Sequence, residues 1–376
     1  MRKIAGVRVA SLWRVLLLAT AVAGHSRWMP AQAPATEPAA AATANELLLQ
    51  AVQANGLNGA GMKPWHIRVS FDVAASFLQD ADTGTIEEWW TGPTHYKRSI
   101  ASKNFVQTEY GTESGVRRVG VRNDAPPIYS TVLNGVIRPI NIPEDAVASL
   151  SVNKAERNVG DLHFSCLATE ASKTTPSKVK VAPWIYCLDS AHPLLRMSSS
   201  PNGSGRMFLN HIVLFEGKYV AKQVEYLLDV PGGHGPNRIW SVQVEQLEGL
   251  KDEDAKGIGP PPDALAAPST VTLSETEARA LLLDHPKAVY PRIAQAAQVS
   301  GDVVCKIKVG VDGHVIWTEV ISGNAMLQGS ESEALKKWTF KPAQLNGDAA
   351  EMETTITFKY KIIWPGSTSD AAVKVE

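Results

Sequence analysis

Of the residues able to do chemistry, two of the three cysteines are spaced for a covalent link. Cys166 and Cys187 sit in the strand-like runs DLHFSCLA and APWIYCLD, separated by the turn-forming TTPSK. In an oxidising compartment this hairpin spacing predicts a structural disulfide. Cys305 falls on an apolar strand face and reads as a buried, inert thiol. No nucleophile elbow is present, because Gly111, Ser114 and Gly115 have the wrong spacing, and neither a P-loop nor an H-E-x-x-H run occurs. The nine histidines are scattered without a ligand-spaced pair on a helix, and His211 reads as a satisfied, half-buried strand residue. PGGHGP, residues 231–236, joins two strands and opens no helix, which makes it a poor phosphate cradle. Asn202-Gly203-Ser204 fits a glycosylation sequon and a turn equally well. Glu87-Glu88 and the acidic run 252–254 read as solvated faces. The expectation is a chain with no catalytic residues, no metal and no cofactor, and so not an enzyme.

The elements that carry these residues follow from length and pattern. A chain of 376 residues is long enough for two folded domains, and 44% hydrophobic against 20% charged residues suits globular ones. A net charge of -1 gives no support to nucleic-acid binding. Arg2, Lys3, Arg8 and Arg14 precede the apolar run 15–24, the pattern of a signal peptide over 1–23 with cleavage after Ala23. The alternative is an uncleaved N-terminal membrane anchor. Residues 24–44 are rich in Ala and Pro and read as a disordered leader.

Residues 45–248 read as one antiparallel β domain with a helix at its start. Asn45 is the expected N-cap of a helix over 45–54, with Gly56 after its end. Strands are expected in HIRVSFDV, TIEEWWTG, NFVQTEYG, GVRRVGV, LHFSCLA, WIYCLD, RMFLNHIVLF, YVAKQVEYLLDV and RIWSVQVEQL, punctuated by turn formers. A short helix is expected in NIPEDAVASL, residues 141–150. So many short strands imply a large, curled, open-barrel-like sheet. Trp65, Trp89, Trp90, Tyr96, Phe105, Trp184 and Trp240 either line an apolar cavity or fill the core. Trp89 and Trp90 must point to opposite faces if extended.

Residues 249–270 read as a linker, 271–364 as a second, small α+β unit, and 365–376 as a disordered tail. Ser274 and Glu277 form a capping-box pattern. Pro291 suits the first turn of a helix through Ala297. Val303, Cys305, Ile307 and Val309 share one strand face, and Asp312-Gly313 turns the chain into HVIWTEVIS. Residues 327–338 read as a helix ending on Trp338. Phe340 then packs beside Trp338, Pro342 forbids the helix to resume, and Asn346-Gly347 turns into a last strand that alternates through Thr354–Ile362. The unit is expected to be a three-stranded antiparallel sheet with helices, so the whole chain is α+β.

The ordered set Tyr290-Pro291, Gly301, Asp312-Gly313, Gly323, Leu327, Trp338, Phe340, Pro342 and Asn346-Gly347 resembles the TonB C-terminal domain, over about 272–363. Ser330 and Ser332 depart from that family's usual apolar or small residues. The resemblance implies a periplasmic protein that binds envelope partners and is associated with TonB-dependent transport. It also implies that a strand of an outer-membrane receptor, or of another envelope protein, adds to the edge Thr355, Ile356, Thr357, Phe358 and Lys359. The β domain is similar in outline to LolA/LolB-like periplasmic carriers, which implies as the alternative a carrier of lipid or another apolar ligand with the C-terminal unit as its docking module.

Overall fold

Period-two alternation of apolar and polar residues builds most of this chain into sheets. The structure, a computed structural model, describes residues 42–363 and 372–375, apart from 58, 60, 76–79, 160–161, 172–181 and 230–234. The signal-like segment, the leader as far as residue 41, the TTPSK turn and residues 231–234 lie outside the described residues.

Helix α1 (Ala44–Ala54) opens the described chain. Its N-cap is Thr43, not Asn45: the Thr43 hydroxyl accepts from Glu46 N, and the Glu46 carboxylate accepts from Thr43 N at 2.7 Å. Asn45 lies inside the first turn, where its amide donates to the carbonyls of Val147 and Leu150 at 3.0 and 3.2 Å. That pins α1 to a short 3₁₀ turn, Glu144–Ser149, at the helix expected for NIPEDAVASL.

Thirteen strands make one sheet: β1 (Trp65–Val73), β2 (Asp82–Gly92), β3 (His95–Ser102), β4 (Val106–Thr112), β5 (Gly115–Gly120), β6 (Leu150–Val159), β7 (Leu162–Ala171), β8 (Trp184–Asp189), β9 (Leu195–Ser199), β10 (Gly205–Phe215), β11 (Lys218–Asp229), β12 (Pro236–Gly249) and β13 (Leu265–Ala266). Their order is β13-β5-β4-β3-β2-β1-β12-β11-β10-β9-β8-β7-β6. The end strands β13 and β6 do not pair among the described residues, so the sheet stays open. Cys166 on β7 lies directly opposite Cys187 on β8, and the two sulfurs are bonded. His211 is exposed rather than half-buried, because it is skipped by the β10–β11 register and has φ of +49°.

A second helix, α2 (Pro127–Ile137), was not expected from the sequence. Its signals are a proline at the first helical position and apolar residues at 128, 129, 132, 133, 136 and 137. Helices α1 and α2 cover one face of the sheet, α1 against β6 and β11 and α2 against β11 and β12, and Leu48, Ala51, Val132, Leu133 and Val136 share one buried cluster with Trp65, Ile67 and Val69. Trp65 and Trp240 are buried in this core, with Trp90, Phe105 and Trp184 packed against it; Trp65 stacks on Trp90 at 5.7 Å and Trp240 on Tyr226 at 5.7 Å, while Tyr96 donates to Glu109 at 2.7 Å. Trp89 points the other way, stacked on His66 at 4.8 Å.

The 249–270 stretch is not a free linker. It contains α3 (Asp252–Lys256), then β13, which extends the large sheet against β5, and the start of β14 (Thr270–Thr272), which joins a second sheet. Proline is compatible with such edge positions, where one side of the backbone needs no partner. The C-terminal unit continues with α4 (Glu275–Ala280), β15 (Leu282–Asp284), α5 (Arg292–Ala296), β16 (Gly301–Val309), β17 (Val315–Ser322), α6 (Ser330–Leu335), β18 (Thr339–Phe340), β19 (Ala343–Leu345), β20 (Asp348–Ile363) and β21 (Ala372–Val375). The expected antiparallel trio is β20-β16-β17; β14, β19 and β21 add to β20, making six strands. Residues 372–375 pair with Tyr360–Ile363 rather than hanging free.

The expected helix over 327–338 is only α6, because Gly329 at φ +112° breaks it from Leu327. Its serines are satisfied: Ser330 bonds the Tyr360 hydroxyl at 2.8 Å, and Ser332 meets Thr318 at 3.4 Å. Trp338 is 3% exposed, donates to the Pro286 carbonyl at 2.9 Å and packs on Phe340 and Phe358. Gly313 is required here. Its φ is +81°, and a Cβ would stand 2.1 Å from the Phe340 carbonyl oxygen. Cys305 is fully buried, and desolvation followed by the nearby Glu331 pushes its thiol up to about 12.

Candidate partner-binding edges

Main-chain groups on a strand alternate in direction, so alternate residues offer N–H and C=O to the same neighbour. On β20 the odd-numbered residues face away from β16. Glu353 O accepts from Leu273 N at 3.0 Å, and Thr357 N donates outward at 3.0 Å. Thr355, Thr357 and Lys359 therefore present their main chain outward, while Ile356 and Phe358 face β16, opposite Cys305 and Val303. Ile356 and Phe358 are buried core residues. The strand expected to be an edge is thus central, and its outer side is partly closed. Strand β14 covers Glu351–Glu353 and β21 covers Tyr360–Ile363, leaving Thr354–Lys359 between them.

That gap is guarded by α4. The Ser274 capping box sets the helix start, and the four-residue spacing puts Glu275 and Arg279 on one face. Glu275 accepts from the Thr357 amide and hydroxyl, both at 3.0 Å, while Arg279 donates to the Thr357 carbonyl at 3.1 Å and pairs with Glu275 at 2.7 Å. A side-chain pair here stands in for one residue of a neighbouring strand. Burial pushes the Glu275 carboxyl up, but the Thr357 donors and Arg279 outweigh it and hold the group below its usual value.

Strand β17 is the other edge of this sheet, paired on one side only among the described residues. Lys306 and Lys308 lie opposite Glu319 and Trp317. By the same alternation Thr318 and Val320 turn their main chain away from β16, whereas Ile316 is skipped at a register shift between Lys308 and Val309. Val315–Val320 form one wall of a cleft of about 580 Å³, whose other wall is Asp80, Asp82 and the start of α2 from Pro126 to Tyr129.

A charged network holds the two sheets together. Glu88, Arg98, Glu109 and Arg118 are direct cross-strand neighbours on β2, β3, β4 and β5. Glu88 pairs with Arg98 at 2.6 Å, and Arg118 with Glu109 at 3.0 Å. Glu88 is 2% exposed, not solvated; only one of two adjacent strand residues can face out, and Glu87 instead contacts His66 at 2.8 Å. Arg118 continues to Asp124, which pairs with Lys308 of β16. Lys308 also reaches Glu351 at 3.0 Å, and Glu351 accepts from Asp124 N at 2.6 Å. Lys308 is 4% exposed and Glu351 fully buried. Desolvation pulls the Lys308 ammonium down, but Asp124 and Glu351 hold it above its usual value. Burial raises the Asp124 carboxyl, and Lys308 with Arg118 brings it below the usual value.

The turn and core marks Tyr290, Leu327, Trp338 and Phe340 share one buried cluster. Gly301, Gly313, Gly323, Asn346 and Gly347 all have positive φ, and Pro291 caps α5. Residues 286–362 match the family described as the Gram-negative bacterial TonB protein C-terminal. Over 93 residues the chain is 29% identical to Protein TonB of Pseudomonas aeruginosa, covering 24% of this chain and 27% of that protein. The chain thus spans about a quarter of the curated relative it matches. The solved structures it resembles include a LolA superfamily protein from Nitrosomonas europaea, at TM-score 0.37 and 10% identity over 58% of this chain and 99% of that one. They also include a DUF1329 family protein from Desulfovibrio piger, at TM-score 0.36 and 10% identity over 57% and 98%.

The sequence located the strand 355–359 but not its neighbours. It missed Glu275, Arg279, Asp124 and Lys308, which meet only through the tertiary fold. The described residues contain no cluster suited to a metal ion and no helix long and apolar enough to cross a membrane.

Proposed function

We propose that this chain is a non-enzymatic, periplasmic protein of the TonB type that binds envelope proteins through its C-terminal unit. Its role lies in TonB-dependent transport, and the partner is an extended segment of an outer-membrane receptor or another envelope protein. The segment adds as a strand to the outer side of β20 between Thr354 and Lys359. The observation that carries this reading is the gap between β14 and β21, bridged at Thr357 by two side chains. An incoming strand replaces the Glu275 and Arg279 contacts and gains the outward groups of Thr355 and Lys359. The carrier alternative has less behind it, since Trp65, Trp90 and Trp240 are packed against other side chains.

The test is binding of a receptor-derived peptide to the full chain and to Lys359→Pro. This proline removes an outward donor and leaves the β16 ladder intact, whereas a proline at Ile356 would break that ladder. The expected result is a loss of binding by roughly tenfold in a folded protein. Unchanged affinity would overturn the reading.

A further inference from the structure

Among the described residues the β17 edge differs from the β20 edge in being unguarded and in facing a wall made by Asp80, Asp82 and the start of α2. We infer that the cleft between β17 and the start of α2 is a second strand-accepting site, for an extended segment of a partner protein that carries a basic side chain. Three observations carry this, none of which depends on the β20 reading. Thr318 and Val320 line the cleft and turn their main-chain groups away from β16, and an extended backbone satisfies such groups directly. The cleft volume of about 580 Å³ lies within the range of binding pockets, roughly 300–1,000 Å³. Its charge is acidic: Asp80, Asp82 and Glu319 line it against Lys336 alone.

The carboxylates are placed differently. Asp82 is buried and accepts from the Tyr129 hydroxyl at 2.8 Å. Lys336 pairs with Asp80 at 3.4 Å and with Glu333 at 3.1 Å, so it offsets one of the three carboxylates and leaves Asp82 and Glu319 without a lysine or arginine among the cleft residues. Glu319 is exposed on β17 itself, beside the outward groups of Thr318 and Val320. A strand docked on β17 brings a lysine or arginine to Glu319 while its other side rests on Pro126, Pro127 and Tyr129. The main chain supplies affinity and the carboxylates select the sign of charge.

The experiment is residue-resolved amide exchange on the full chain, alone and with a short Thr/Val-alternating peptide bearing a central lysine or, as control, a central glutamate. The amides of Thr318 and Val320 exchange freely in the protein alone and slow by roughly tenfold with the lysine peptide. The glutamate peptide leaves them unchanged. Thr318→Pro removes an outward donor without touching the β16 ladder and abolishes the protection; Glu319→Lys, at an exposed site, weakens binding of the lysine peptide and keeps the fold. The inference is overturned by outward amides already protected in the protein alone, by equal binding of both peptides, or by binding indifferent to both variants. Protection at Thr355 and Lys359 instead also overturns it, and that pattern supports the β20 site.

Discussion

Lys308 is the residue whose loss should be felt most. It joins Asp124, in the loop between β5 and α2, to Glu351 and Glu353 of the C-terminal sheet, and it is 4% exposed. Lys308→Met keeps most of the volume and removes the charge. Glu351, fully buried, is left with the Asp124 amide and the Thr270 hydroxyl as donors and with no cation of its own. Removing one member of a buried ion pair costs about 3–5 kcal/mol, because the partner charge stays desolvated. The expected loss is therefore about 3–5 kcal/mol at neutral pH, read as the shift in a urea titration followed by circular dichroism. The second variant, Lys308→Met with Glu351→Gln, removes the stranded charge and keeps its acceptor for Asp124 N. It should recover at least half of the loss. A cost below about 1 kcal/mol for the single variant, or a double variant as unstable as the single, refutes the reasoning.

The pH dependence of the same network has a definite sign. Asp124 has its carboxyl held below the ordinary value, so its contribution is present above the unfolded value of about 4 and is lost as pH falls through the folded one. Lys308 is held above its ordinary value, so its contribution is complete below about 10.4 and is lost as pH rises through the folded one. The contact between the sheets is therefore strongest between these limits, and Lys308→Met should flatten both limbs of the stability profile.

Glu275→Ala should open the β20 gap: the Thr357 amide exchanges faster by roughly tenfold, while global stability falls by no more than about 1 kcal/mol. Because the Glu275 carboxyl is held low, the wild-type chain should show the same opening only below about pH 4. Gly313→Ala should cost about 1–3 kcal/mol or more, through a positive φ and a clash with the Phe340 carbonyl, measured by thermal melting. Cys166→Ser with Cys187→Ser should cost about 3 kcal/mol, since the bond closes a segment of sequence separation 21. Intact mass before and after reduction checks that the bond is present.

What was legible in the sequence is what depends on local pattern. Strand alternation gave β1, β16 and β20, the Ser274–Glu277 capping box is formed, and the Asp-Gly and Asn-Gly pairs turn the chain where expected. Helix α2 carries readable signals in Pro127 and its apolar spacing, but it interrupts a run of strands, which masks them. The status of β20 was not readable. Its outer neighbours are a three-residue and a four-residue strand, too short to show any period, brought from positions 270 and 372. Register was equally hidden. Glu88 looks solvated beside Glu87 until the pairing of β2 with β3 sets it opposite Arg98.

The buried charges also explain why the two sheets hold one arrangement. Apolar contacts tolerate sliding, whereas a row of alternating charges across β2, β3, β4 and β5 that ends on Asp124 matches one position of Lys308. Buried pairs add little net stability over apolar packing, and their loss on one side is costly, so they select a geometry more than they deepen it. That geometry sets β17 beside the start of α2 at the width of the cleft. A chain in which Lys308→Met leaves the sheets joined but shifted should therefore lose binding at β17 while keeping it at β20. Peptide titrations of the two edges in that one variant distinguish a positional role of the network from a purely stabilising one, which would weaken both edges alike.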